Sequence, residues 1–403
     1  MAAVRAGPAA TLALIGAVIG ALIVLAVGRA AGWIGHTPTR TVVVQQPAGA
    51  GAAAPVVAAR PLLGNGFQPA QIYRARAAGV VTIISYFDAG AGPGTSAGQG
   101  SGFVVSRNGL IMTSAHVVTT AGTALGGQPA PAHTIYVQFA DGDRVQARLV
   151  GFDLYDDVAL VRVDPAQHAL DPVPLGNSAR VVVGEPVAAI GSPFGNADSL
   201  SVGVVSAIRR SIPSLTSRYD LVDAIQTDAP INHGNSGGPL FDAAGRVIGI
   251  NAQIRSSGTD SGFEGVGFAV PIDSARRSMA QLLQTGTVRY AYVGITTEDL
   301  TPGIARRFGY AARQGALVDT VRPGTAGARA GLRAATHDEV YEGTDVRVGG
   351  DAIVAIDGIP VRSAEDVVRI VSERLVPGQT VPFSIVRGRA HLTVEVTLDA
   401  RPG

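Results

Sequence analysis

Ser236 stands in the loop Gly234-Asn235-Ser236-Gly237-Gly238-Pro239. A serine hydroxyl becomes a nucleophile when a base takes its proton, a third group orients that base, and backbone donors receive the developing oxyanion. The glycines flanking Ser236 permit backbone geometry that other residues resist and leave room for a substrate beside the chain. Amides of Gly234 and Ser236 can then point into one pocket. The plain structural alternative is a Gly-rich turn with a solvated serine. For the base, Thr113-Ser114-Ala115-His116-Val117-Val118 sets His116 at the end of an apolar strand. The other histidines offer less. His36 lies in a Pro/Gly-rich tract, His133 and His168 in loops with Pro and Asp, and His337 and His391 far along the chain. His233 is too near Ser236 for its ring to turn back onto that hydroxyl. The orienting acid must be a buried carboxylate on the imidazole. Asp157 opens the apolar strand Val158-Ala159-Leu160-Val161, with Asp153 and Asp156 as competitors. Asp156 and Asp157 have opposite pleat parity, so one of them is expected to face the core; spacing does not decide which.

The elements that must position these residues read as β-rich. Between residues 73 and 272 the apolar runs are short, turn residues separate them, and no helical pattern intervenes, which argues an all-β barrel or sandwich. Residues 274–283 carry Ala275, Met279, Leu282 and Leu283 at helical spacing, with Gly286 as a stop. Residues 292–402 form a second unit. It has a strand at 292–296, an acidic surface loop at 334–348, a helix at 363–375 opened by a Ser363/Asp366 capping pattern, and two closing strands.

The 403 residues carry a formal net charge of +1, every cation is arginine, and cysteine is absent. This balance gives no electrostatic footprint for nucleic acid, and excludes disulfides, a thiolate nucleophile and cysteine-held metal. No metal or organic cofactor is called for. Residues 9–27 are uncharged and almost wholly apolar. As a helix rising ~1.5 Å per residue, this run matches a ~30 Å hydrocarbon layer, and it exceeds the ~7–15 residues of a cleaved signal. The expected organisation is a cytoplasmic stub and transmembrane anchor over 1–29, a flexible Ala/Gly/Pro-rich linker over 30–66, a catalytic domain over 67–286 and a second domain over 287–403.

The same residues resemble the HtrA/Deg family of trypsin-like serine proteases. Gly100-Ser101-Gly102-Phe103, Thr113–Val118 and the order His, Asp, Ser all carry the likeness. So does Gln226-Thr227-Asp228-Ala229-Pro230-Ile231-Asn232-His233 running into the Ser236 loop. Gly151-Phe152-Asp153-Leu154-Tyr155-Asp156-Asp157-Val158-Ala159 is similar to the family segment whose last aspartate is the acid, which selects Asp157. Ser206-Ala207-Ile208-Arg209-Arg210 resembles a regulatory loop and makes Arg210 the relay candidate, with Arg209 where glycine is common. Tyr292-Val293-Gly294-Ile295, the 324–332 segment and the 350–358 segment resemble a PDZ domain, with Tyr292, Val293, Gly294 and Ile295 as its carboxylate-binding loop.

The resemblance implies a chymotrypsin-like double β-barrel followed by a small α+β PDZ domain. It implies a serine endopeptidase acting on unfolded or damaged envelope proteins, with Gly234, Asn235 and Ser236 as oxyanion donors. Ile231, Asn251, Ala252 and Gln253 are candidates for the substrate pocket. C-terminal peptides are expected at the PDZ domain, and both domains on the extracytoplasmic side of the membrane. A homotrimer through Phe67, Ile72 and Tyr73 is a further implication, with ordinary packing of those residues as its alternative. Two rival functions are a regulatory site-one protease cutting one membrane partner, and a catalytically silent PDZ adaptor or chaperone.

Overall fold

The computed structural model describes residues 66–87, 97–122, 129–191, 199–217, 219–232, 234–252 and 265–402. The expected anchor, and the linker up to residue 65, lie outside the described residues. Among the described residues no helix is long and apolar enough to cross a membrane.

A short helix, α1 (Pro69–Arg76), leads into β1 (Val80–Tyr86), β2 (Ala97–Val104), β3 (Leu110–Thr113), the one-turn helix α2 (Ala115–Val118), β4 (Thr134–Gln138), β5 (Arg144–Asp153) and β6 (Val158–Arg162). The six strands close into a barrel in the order β1-β2-β3-β6-β5-β4. A second closed barrel follows, made of β7 (Pro186–Gly191), β8 (Ser199–Pro213), β9 (Asp220–Thr227), β10 (Pro239–Phe241), β11 (Val247–Ala252) and β12 (Gly267–Pro271), in the order β10-β11-β12-β9-β8-β7. Closure pairs the end strands and so leaves no open sheet edge.

The apolar runs are continuous rather than alternating, and the packing says why. Along β3, Ile111 points into the first barrel while Leu110 and Met112 point out of it into a shared core. Along β2, Val104 points in and Phe103 out. The shared core joins Phe103, Met112 and Leu160 of the first barrel to Ile190, Phe241 and Ile250 of the second. Each such fully buried side chain stabilises by about 1.5–3 kcal/mol, so the seam is a large part of what holds the barrels together. Helix α3 (Ile272–Thr285) adds Ile272, Ala275 and Leu282 to this core and stops at Gly286, whose left-handed φ of 73° lets its amide reach Leu282 O at 3.0 Å. Ile72 is buried in the same core, and Phe67 and Tyr73 pack against it, so all three find partners within the chain.

The second unit comprises β13 (Ala291–Tyr292), β14 (Ile295–Leu300), α4 (Pro302–Phe308), β15 (Gly315–Val321), α5 (Ala326–Arg329), β16 (His337–Tyr341), β17 (Thr344–Val348), β18 (Asp351–Ile356), β19 (Ile359–Pro360), α6 (Ala364–Arg374), β20 (Thr380–Arg387), β21 (Ala390–Thr397) and β22 (Asp399–Ala400). Its main sheet runs β14-β15-β18-β20-β21, with β19 on β18. Ser363 Oγ accepts from Asp366 N at the start of α6, as the capping pattern predicts, while Asp366 reaches back to Arg362 N. The expected strand at 292–296 is broken instead at Gly294 (φ 81°), so that β13 pairs with β22 and β14 joins the main sheet. The expected acidic loop at 334–348 is the hairpin β16–β17. Glu342 (φ 52°) and Gly343 (φ 81°) form its two-residue turn, the geometry that matches strand twist. Arg347 bonds to both Asp319 and Asp338 there, so the acidic charge is partly neutralised.

A further correction concerns the three aspartates. Asp153, Asp156 and Asp157 are all buried. Pleat parity fails because a turn, not a strand, joins β5 to β6. Asp153 Oδ2 accepts from Ser278 Oγ of α3 (2.7 Å) and from the Tyr290 hydroxyl. Burial pushes the Asp153 carboxyl up. Burial, then the charge of Asp153, pushes Asp156 up to about 7, with Arg277 opposing.

A carboxyl raised in the folded state holds its proton there after the unfolded chain has lost it. Its contribution to stability is therefore present below the ordinary carboxylate range and lost as pH rises through about 7. Asp156→Asn is expected to melt higher than the parent at pH 8, with the difference shrinking toward pH 4; thermal denaturation across that range measures it.

Candidate active site

His116 lies in the first turn of α2, at the end of β3, and it and its neighbour Ala115 are held at three points by one residue. Asp157 Oδ2 is 2.7 Å from His116 Nδ1, Asp157 Oδ1 accepts from His116 N at 2.9 Å, and Asp157 O accepts from Ala115 N at 3.2 Å. A carboxylate only accepts, so Nδ1 carries the proton and Nε2 is left as the acceptor. Asp157 reaches this position with φ 51°, a left-handed conformation that costs a non-glycine residue about 1–2 kcal/mol. Burial would lower the His116 value; the charge of Asp157 and its hydrogen bond outweigh that and raise it above 6.5.

Ser236 comes from the second barrel, on the loop before β10. It is 3% exposed, and its Oγ has no hydrogen-bond partner among the described residues. The structure thus brings His116 and Asp157 into contact, and leaves the Ser236 hydroxyl unengaged. Gly237 sits at φ 82°, and a Cβ there would lie 2.3 Å from Ser101 O and 2.4 Å from Thr113 Oγ1, so the loop needs glycine to lie against β2 and β3.

The loop's carbonyls are pinned. Ser101 Oγ donates to Gly234 O at 2.5 Å, and Ser101 N to Ser236 O at 2.8 Å. Asn235 O accepts from Gly238 N at 3.0 Å and from Asn251 Nδ2 at 3.5 Å. Fixing a carbonyl also aims the amide on the other side of the same peptide plane. The expected trio of oxyanion donors is corrected by one: the amide of Asn235 closes a turn on Asn232 O at 3.0 Å and is occupied. The amides of Gly234 and Ser236 remain.

The pocket candidates divide. Ile231 is half-buried and packs over Gly267. Asn251 is fully buried, and its side chain and backbone tie down the Ser236 loop, so it is a strut of that loop and not a pocket wall. Ala252 is buried beside it, and Gln253 lies outside the described residues, as does His233. Ser101 is the site residue that spacing did not single out; its signal was a strand reading Gly-Ser-Gly, which marks close approach of another backbone.

Arg210 is exposed on β8 opposite Ala224. Its neighbour Arg209 takes φ 59° at a bulge, which explains why glycine suits that position. Arg209 and Asp223 line a cleft whose other wall is Arg362, Asp366 and Arg369 around the start of α6. In the second unit, Val293 O and Gly294 O accept from Gly327 N (2.7 Å) and Arg322 N (2.8 Å), holding the Tyr292, Val293, Gly294, Ile295 loop in shape. Strand β14, which continues from it, is an edge strand of the main sheet.

Known proteins share these features. A trypsin-like peptidase domain model matches residues 100–250, and a PDZ domain model matches residues 291–398. A DegP-like periplasmic serine endoprotease of Halomonas elongata is 39% identical over 303 residues, 75% of this chain and 56% of that protein. The chloroplastic Protease Do-like 1 of Arabidopsis thaliana is 37% identical over 312 residues, 76% of this chain and 64% of its own length. The chain thus spans little more than half the length of these curated relatives. The solved structure of the HtrA-type protease AlgW with a tripeptide superposes with a TM-score of 0.66 at 31% identity, covering 83% of this chain and 98% of that one. With both domain types in this order and a structural counterpart matched over 98% of its own length, the chain belongs to the HtrA/DegP-like family of trypsin-like serine endoproteases.

Proposed function

We propose that the chain is a serine endopeptidase that hydrolyses peptide bonds of unfolded or damaged proteins outside the cytoplasm. The observation that carries this reading is the buried His116–Asp157 hydrogen bond, together with a buried Ser236 hydroxyl that has no hydrogen-bond partner among the described residues. His116 Nε2 takes the Ser236 proton as Oγ attacks the substrate carbonyl carbon, and Asp157 holds the imidazolium that forms. The amides of Gly234 and Ser236 receive the oxyanion. His116 then passes the proton to the leaving amine, and water releases the acyl group by the reverse sequence. Catalytic hydrogen bonds tighten when substrate binds, which suits the unengaged hydroxyl of the free protein. The extracytoplasmic placement draws on the apolar run at 9–27 as an anchor and on the periplasmic naming of the Halomonas relative.

The second domain is proposed to take a C-terminal peptide as an added strand on the open edge of β14, with amides of residues 293–295 holding the carboxylate. The cleft between α6 and the β8–β9 region favours a regulatory version of this reading, in which peptide binding is transmitted to the protease domain.

Four outcomes are expected. Ser236→Ala abolishes cleavage of casein without lowering the melting temperature, because Oγ makes no hydrogen bond to the described residues; retained cleavage would remove the assignment. Asp157→Asn lowers kcat by about 10⁴, whereas Asp156→Asn keeps most activity. In the parent, kcat/KM rises with pH through a value above 6.5; in Asp157→Asn the residual activity rises at lower pH, because burial then acts on His116 alone. Free peptides with an apolar C-terminus raise the cleavage rate, measured by titrating peptide against a fixed concentration of fluorescent casein; a flat titration counts against regulation.

A further inference from the structure

Arg401, just after β22, lies among three tyrosines. Its guanidinium carbon is 5.0 Å from the ring centre of Tyr155, 4.9 Å from that of Tyr219 and 5.1 Å from that of Tyr290. The rings also touch each other, Tyr155 lying 5.1 Å from Tyr290 and 5.5 Å from Tyr219. Arg401 N donates to Tyr290 O at 2.9 Å, an Arg401 terminal nitrogen to Ser372 Oγ of α6 at 2.7 Å, and the Tyr155 hydroxyl to Pro402 O at 2.8 Å. A cation over aromatic faces is attracted by the ring quadrupole, most strongly where water is excluded.

The cage is built on the turn that delivers Asp157. Tyr155 is two residues from Asp157. Tyr290 donates through its hydroxyl to Asp153, whose other oxygen accepts from Tyr155 N at 2.9 Å and Asp156 N at 3.4 Å. Thr216, near Tyr219 between β8 and β9, donates to Leu154 O at 2.5 Å. Asp153, Leu154 and Tyr155 are therefore each tied to another element, Asp156 N is tied to Asp153, and the next residue is the left-handed Asp157. A left-handed aspartate persists only where its surroundings over-determine it.

We propose that Arg401 is a positioning residue for the reaction: clasped by Tyr155, Tyr219 and Tyr290, it locks the turn at 153–157 and thereby the angle at which Asp157 meets His116. The inference rests on Asp157 being the orienting acid. It makes a residue of the second domain's closing segment part of the support of the first domain's base.

The test uses the full chain carrying Arg401→Met, which keeps a long apolar stem and removes the cation, and Arg401→Lys, which restores charge over the rings. Arg401→Met is expected to lower kcat by about tenfold with KM little changed, because misplacement and not lost substrate contact is the defect. It is also expected to move the rise of kcat/KM to lower pH and to weaken the low-field proton resonance of His116 Nδ1. Arg401→Lys recovers part of all three. A folded Arg401→Met with parental kcat, pH profile and resonance overturns the proposal, as does a change in melting temperature alone. If Arg401→Met does not fold, Tyr155→Phe, which loses only the hydroxyl bonded to Pro402, must shift the same readouts in the same direction; parental values there overturn it. Asp157→Asn separates the two readings. If that variant is fully active, the proposed function fails. If it is inactive while Arg401→Met behaves as the parent, only the positioning role fails.

Discussion

The structure turns on a buried pair, the Asp157 carboxylate hydrogen-bonded to the His116 imidazole. Breaking such a pair by removing one partner costs about 3–5 kcal/mol, because the other is left buried and unpaired. It survives only where its geometry is fixed from several sides. Asp157 supplies three of the contacts itself, to the ring and to two backbone amides. The first barrel supplies the rest: β3 ends where α2 must begin, and β6 starts where the acid must sit, with Thr113 paired to Ala159 across them. Registering those two strands is what places base and acid on facing chains.

The second barrel solves a different problem, that of holding backbone donors in place without a ligand. Its loop is tied through carbonyls, by Ser101 from the opposite barrel and by Asn251 from its own. The amide of Ser236 is aimed because it shares a peptide plane with the Asn235 carbonyl, which Gly238 N and Asn251 Nδ2 hold. Gly237 and Gly238 are consequences of that closeness. A side chain at either would run into backbone of β2 or β7.

Much of this was legible in the sequence. The short apolar runs announced an all-β barrel or sandwich, and the glycine-flanked serine, the histidine after a strand and the aspartate before one were found as types in positions. Contacts between distant side chains were not legible. The burial of Asp153 and Asp156 depends on Ser278 and Tyr290, more than a hundred residues away. Parity arithmetic misjudged them because it assumes a strand where the chain turns. Asn251 stood among the pocket candidates because nothing in the sequence gives the direction of its amide, which bonds Asn235 O and Pro239 O. The acidic stretch at 334–348 read as a loop because its charges hid the alternation of Val340, Val346 and Val348, of which only the last two are buried. The three-tyrosine cage had no sequence signature at all, since its members come from four separate stretches.

The seam between the barrels has one more consequence. Nucleophile and base belong to different closed sheets, each with its own interior core. Neither barrel needs to loosen for the site to be broken. A small slide along their shared face, or its reversal, changes only the mutual aim of two otherwise intact halves. Reactivity in this architecture therefore depends on the alignment of two folded halves as well as on the fold of either.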